Sequence, residues 1–379
     1  MFDRRNFLVT GGLGGATILA NPRLAFARAE TDKRFLFIIQ RGAADGLGIL
    51  APTGDPAYAG LRGDLANDVA AGLKLDAMFS LHPALAETAK MFAEKQALFV
   101  HAVASPYRDR SHFDGQNVLE SGAAGAYRLK DGWMNRLLAQ LPGDKAIALS
   151  PAVPLALRGA IPVESYAPSA LPDAAEDLMI RVGDLYARDP QLGPLWNEAL
   201  AARAKAGAFA SGKGGAALGA LAARQMSGLG GARIGMIETN GWDTHTGQNG
   251  RLAAQLKQLD ATIAAFRTGL GSEWSKAMVL VATEFGRTAK ANGTGGTDHG
   301  TGAMAMLLGG AVAGGRIITD WPGLSTGALY EGRDLKPTTD LDSLIASAIA
   351  EHFGLDPVRA SGLFPETRPA PLVQRLLIA

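Results

Sequence analysis

"RFLFIIQRGAADG", residues 34–46, is an unbroken apolar run from Phe35 to Ile39 that passes into a glycine-containing loop ending on an aspartate. Five consecutive apolar residues without alternation predict a strand buried on both faces, as inside a parallel sheet with helices on either side. Open α/β sheets bind ligands beyond the carboxyl ends of their strands. Asp45, just past this run, is therefore a candidate site residue.

The pattern recurs. "ALFVHAVASP" (97–106), "ARIGMIETNGWDTH" (232–245), "KAMVLVATEFGRT" (276–288) and "GAMAMLLGGAV" (302–312) each read as a buried strand entering or leaving a polar loop. Between them, "RLAAQLKQLDATIAAFRTGL" (251–270) spaces Leu252, Leu256, Leu259, Ile263, Phe266 and Leu270 by alternating fours and threes, which predicts one apolar helix stripe packed on a sheet. "YRDRSHFDGQNVLESG" (107–122) offers Ser111 and Asp114 at the start of a short helix that stops at Gly122. Strand, loop and helix in this order predict an α/β fold with a mostly parallel central sheet flanked by helices. One domain over 30–379 is expected, with an Ala-, Gly- and Pro-rich helical insertion at about 150–230.

Composition narrows the chemistry. Of the 379 residues 47% are hydrophobic, enough for a large core, and 37 Lys+Arg against 36 Asp+Glu give a net charge near +1. Nothing in that balance suits nucleic acid. The cysteine count is zero, so a metal would have oxygen and imidazole ligands, a set that suits zinc, manganese or magnesium.

Residues 1–29 open with Arg4-Arg5, continue through a short, weakly apolar, glycine-rich stretch and reach Ala25-Phe26-Ala27, a small-residue cleavage site. This is the order of a twin-arginine export signal. It predicts engagement of the twin-arginine export machinery and a periplasmic or cell-envelope location. No later apolar run is long enough for a stable membrane span.

Asp45, Ser111, Asp243, His245, Glu284 and His299 all fall on or just after predicted strands, so the fold would gather them at one edge. Ser111 is the hydroxyl best placed as a nucleophile, because a helix N-terminus favours an anion. His112 beside it could be a ligand, an acid or a substrate contact. Arg287 could grip a substrate anion or pair with a carboxylate. His82 and His101 read as hydrogen-bonded structural histidines, His352 as a helix C-terminal residue before Gly354, and Trp242 and Trp321 as packing.

The order "RGAADG", "RSHFDGQNVLESG", "NGWDTH", "VATEFGRT" and "GGTDHGTGAMAMLLGGA" resembles the domain-of-unknown-function 1501 family across nearly all of the chain after the signal. That family in turn resembles the alkaline phosphatase and sulfatase superfamily. The resemblance implies divalent metal ions held by Asp45, Asp243, His245, Glu284 and His299, with Ser111 at the nucleophile position. It implies hydrolysis of phosphate or sulfate esters, in a small anionic ester or an envelope polymer. Where the superfamily carries Asp-His after the later strand, this chain has Glu284-Phe285. Either Glu284 is that ligand and His299 the final one, the preferred reading, or Asp298-His299 is itself the pair. The departure keeps a second expectation open: a metal-stabilised, non-catalytic envelope or assembly protein of the same fold.

Overall fold

The computed structural model describes residues 32–70, 72–167, 176–206, 214–372 and 375–378, so the export-signal reading of residues 1–29 lies outside the described residues. Among the described residues nine strands form the main sheet: β1 (Arg34–Gln40), β2 (Ala97–Ala104), β3 (Ala146–Leu149), β4 (Glu164–Ser165), β5 (Ile234–Thr239), β6 (Ala277–Ala282), β7 (Ala303–Leu308), β8 (Arg316–Ile318) and β9 (Thr339–Asp340). Their order is β8-β2-β7-β6-β1-β5-β3-β4, with β9 also on β2. The opening run is thus central. It pairs in parallel with β5 on one side and β6 on the other.

Successive residues of β1 feed two separate cores. Phe35, Phe37 and Ile39 pack with Trp133, Leu137 and Leu138 of α2 (Trp133–Gln140) and with Leu341, Leu344, Ile345 and Ile349 of α7 (Leu341–Phe353). Leu36 and Ile38 join the opposite core, with Leu221 and Met226 of α5 (Gly215–Met226) and the whole predicted stripe of α6 (Gln248–Leu270). Burying a side chain of this size stabilises by roughly 1.5–3 kcal/mol, which is why the run Phe35–Ile39 carries no polar position on either face. The result is a three-layer arrangement of helices, sheet and helices.

The sheet is mostly parallel, and β7 is the exception, antiparallel to both β2 and β6. The connection 283–302 contains no helix. A parallel neighbour needs a crossover, usually helical, whereas an antiparallel strand can return through a loop. The stretch read as a helical insertion holds α3 (Glu176–Tyr186) and α4 (Leu192–Ala206), but it also supplies the edge strand β4 and the core helix α5. Helix α1 (His112–Ser121) follows Ser111 and ends at Gly122, which takes the left-handed φ of 67° that closes a helix without Cβ strain. No helix among the described residues is long and apolar enough to cross a membrane.

Candidate metal centre

The loops after β1, β2, β5 and β6 leave the carboxyl edge of the sheet. Because β7 runs the other way, the loop that enters it lies at the same edge. Asp45, His112, Asp243, Glu284 and His299 are therefore delivered to one side of the fold by strand direction alone.

At that edge His112, Asp243 and His299 each offer a ligand atom, all within 4.8 Å of one another. His245 adds a fourth: its Nε2 lies 3.0 Å from Asp243 Oδ1 and 3.0 Å from His299 Nε2. Each imidazole is oriented from behind. His112 Nδ1 is 2.8 Å from Glu284 Oε1, His245 Nδ1 is 3.1 Å from Asp298 Oδ1, and His299 Nδ1 is 2.9 Å from the Arg110 carbonyl. All three partners can only accept when the carboxylates are ionised, so each Nδ1 carries the proton and donates. With the imidazoles neutral, each Nε2 is then a lone pair facing the Asp243 carboxylate. His112 Nε2 is buried without a hydrogen-bond partner, 3.5 Å from Asp243 Oδ2. Nitrogens of His112 and His299 grouped with the Asp243 carboxylate, with His245 Nε2 against the last two, are an arrangement that a cation satisfies, and support of each ligating histidine by an acceptor is the usual outer layer of a metal site.

Electrostatics follow from these contacts. The Glu284 hydrogen bond raises the His112 imidazole above its ordinary value, against burial. Burial, then the neighbouring His112, lowers His299. Burial pushes the Asp243 carboxyl up, but the hydrogen bond and charge of Arg287, with the charges of His245 and His112, hold the group below the usual carboxylate range. The hydrogen bond from Asn292 lowers Asp298 as well.

Two residues expected as direct ligands have their carboxylates engaged elsewhere. Glu284 is fully buried, and its Oε1 receives the Gly42 amide at 2.8 Å, the Ala43 amide at 3.1 Å and Gln116 Nε2 at 3.1 Å besides His112. Burial raises its carboxyl, and these donors, His112 first, more than offset that and leave it lowered. Glu284 reaches the cluster only through His112. Gly42 has a φ of 118°, and a Cβ there would stand 2.6 Å from the Asp243 amide, so only glycine lets this loop donate to Glu284 while passing so close to Asp243. Asp45 is buried against the Arg62 guanidinium and receives Gln248 Nε2. It stands outside the cluster.

Arg287 is committed to protein partners rather than to the open site. Nη1 pairs with Asp243 Oδ1 at 2.7 Å, Nε donates to Thr297 Oγ1 at 3.2 Å and Nη2 to the Thr297 carbonyl. Ser111 is the N-cap of α1 by position, yet its side chain makes no capping hydrogen bond. His82 and His101 are buried with backbone partners, Trp242 is buried and bonded to Thr239, and His352 lies in the last turn of α7. Asp298, read in the sequence as an alternative ligand beside His299, instead orients His245, and nothing in the sequence marked Arg110 or Arg62 as partners of site residues.

Fold and site together define a mixed α/β protein with a candidate histidine–aspartate metal centre. Over residues 32–361 the chain matches the family described as protein of unknown function (DUF1501), and it belongs to that family. No curated protein matches it. Among solved structures it is similar to the phosphonate monoester hydrolase of Agrobacterium radiobacter, at 10% identity and a TM-score of 0.40, over 90% of this chain and 79% of that one. It is also similar to the C-terminal periplasmic domain of EptC from Escherichia coli, determined in complex with zinc, at 8% identity and a TM-score of 0.32, over 74% of this chain and 73% of that one.

Proposed function

We propose that this protein is an exported metal-dependent hydrolase of phosphate or sulfate esters, with one divalent ion held by His112, Asp243, His245 and His299. The observation that carries the proposal is the fixed orientation of three imidazoles whose Nε2 lone pairs meet at Asp243. An imidazole-rich set of this kind suits zinc or manganese better than magnesium, which prefers oxygen. One ion rather than two is favoured because Arg62 already neutralises Asp45 and Glu284 is spent on His112 and backbone amides. A bound ion would polarise a phosphoryl or sulfuryl oxygen. Ser111, at the start of the ten-residue helix α1, is the nucleophile of this reading, and the free amides of that helix end favour the anionic group under attack. The substrate class is a small anionic ester or an ester on an envelope polymer.

A non-catalytic, metal-stabilised envelope protein is the second reading. It is favoured by the same Arg62, a fixed cation placed on a carboxylate that the resemblance assigns as a metal ligand. Elemental analysis of the purified mature protein with a panel of chromogenic phosphate and sulfate esters separates the two. The hydrolase reading expects about one equivalent of metal and turnover that Ser111→Ala abolishes. Bound metal with no turnover on any ester selects the second reading.

Export rests on residues 1–29. Arg4→Lys with Arg5→Lys keeps the charge but alters the address, so the precursor should stay in the cytoplasm on fractionation. Normal export of that variant would assign the segment to the general secretory route.

A further inference from the structure

We propose that Arg110 and Asp334 are positioning residues for His299, acting through backbone rather than as ligands; this rests on the metal-site reading above. Arg110 is the one residue between Asp109 and the N-cap of α1, and it holds a φ of 58°, a left-handed conformation that a non-glycine side chain adopts only when its surroundings impose it. That conformation belongs to the residue whose carbonyl accepts His299 Nδ1 at 2.9 Å and so decides which nitrogen of His299 faces the cluster.

The imposing group is Asp334. Its carboxylate is fully buried, and Oδ2 receives Arg110 Nε at 2.9 Å, Arg110 Nη2 at 2.7 Å and Thr301 Oγ1 at 2.8 Å. Arg110 Nη2 also reaches Glu331 Oε2 at 2.5 Å, which fixes the plane of the guanidinium. The same loop closes on His299 from the other side: Arg333 Nη2 donates to the His299 carbonyl at 2.6 Å, with Arg333 Nε 3.2 Å from Asp334 Oδ1. One buried carboxylate thus ties the segment before α1, the residue two past His299, and the loop at 330–334 into a single clamp.

The fork geometry matters, because Arg110 spans Asp334 and Glu331 with a planar guanidinium that a lysine cannot reproduce. Loss of such an outer partner typically weakens metal binding by about 10–100-fold while leaving the ligands in place.

The test uses the full-length mature protein with Asp334→Asn, Arg110→Gly and Arg110→Lys. Arg110→Gly removes the guanidinium while easing the left-handed backbone, so it guards against a variant that fails only through misfolding. Two readouts are taken. In metal-free protein, nitrogen NMR of His299 reports which ring nitrogen is protonated; in a separate titration, zinc alone reports affinity. The proposal expects Nδ1–H in the wild type, a mixture of tautomers in Asp334→Asn and Arg110→Gly, an intermediate result for Arg110→Lys, and zinc affinity about 10–100-fold weaker in the first two. It is overturned if all three variants fold and keep His299 in the wild-type tautomer. If the tautomer shifts as expected but the wild type binds no zinc, the positioning role stands and the metal reading falls.

Discussion

His245 Nε2 and His299 Nε2 lie 3.0 Å apart, each with its Nδ1 already donating, His245 to Asp298 and His299 to the Arg110 carbonyl. Two lone pairs cannot rest in contact in a neutral pair, so this gap calls for a cation or a shared proton, and Asp243 Oδ1 stands 3.0 and 3.4 Å from the two nitrogens to balance it. His299→Ala should therefore lower bound metal and thermal stability together. At zinc 100-fold above its dissociation constant, binding to the folded state alone contributes about 2.7 kcal/mol, so the wild type should melt higher with zinc than with chelator. A variant that loses no metal-dependent stabilisation would remove His299 from the centre.

Ser111 gives a cleaner contrast than its position suggests. Since its side chain makes no capping bond, Ser111→Ala should change stability by less than about 0.5 kcal/mol, the range of an ordinary surface substitution, in place of the ~1 kcal/mol a lost cap costs. Turnover of a chromogenic ester should vanish while metal content stays whole. Retained turnover would transfer the nucleophile's role to water.

Asp45 should behave as a structural carboxylate. Asp45→Asn leaves the fully buried Arg62 guanidinium without its counter-charge, and breaking a buried pair in this way costs about 3–5 kcal/mol. Chemical denaturation should register that loss while the metal content of the folded fraction is unchanged. Loss of metal at unchanged stability would return Asp45 to the ligands.

These outcomes bear on how much the chain disclosed in its sequence. Unbroken apolar runs at 35–39, 277–282 and 303–308 marked buried strands because both faces of this sheet are covered, and the 3–4 spacing of α6 marked the helix that covers one of them. Strand direction then brought the loop residues to one edge. What the sequence could not disclose was partnership. Glu284 follows a strand as a ligand would; its contacts with the Gly42 amide and His112 exist only in three dimensions. Arg62 sits 17 positions beyond Asp45 in a segment with no distinguishing pattern, and Asp334 is 35 residues beyond His299. The antiparallel sense of β7 was readable in principle, from the missing helix between 282 and 303, but apolar content alone does not give direction.

Asp342, a buried acid outside the cluster, makes the stability of the fold depend on pH. Asp342, in the first turn of α7, is buried with Thr367 Oγ1 as its hydrogen-bond donor, and burial, with the charge of Asp340 added, pushes its carboxyl up to about 7 from 3.8. The folded protein thus keeps this proton at pH values where the unfolded chain has released it. Because the native state binds more protons across that window, stability must fall as pH rises through it. The contribution is complete below 3.8 and gone above about 7. At about 1.36 kcal/mol per pKa unit, the whole shift sets a ceiling of about 4 kcal/mol on the effect. Asp342→Asn keeps a hydrogen-bonding partner for Thr367 and removes the titration, so urea midpoints measured from weakly acid to neutral pH should decline less steeply for the variant than for the wild type. Parallel declines in the two proteins would mean that Asp342 is ionised in the folded state throughout.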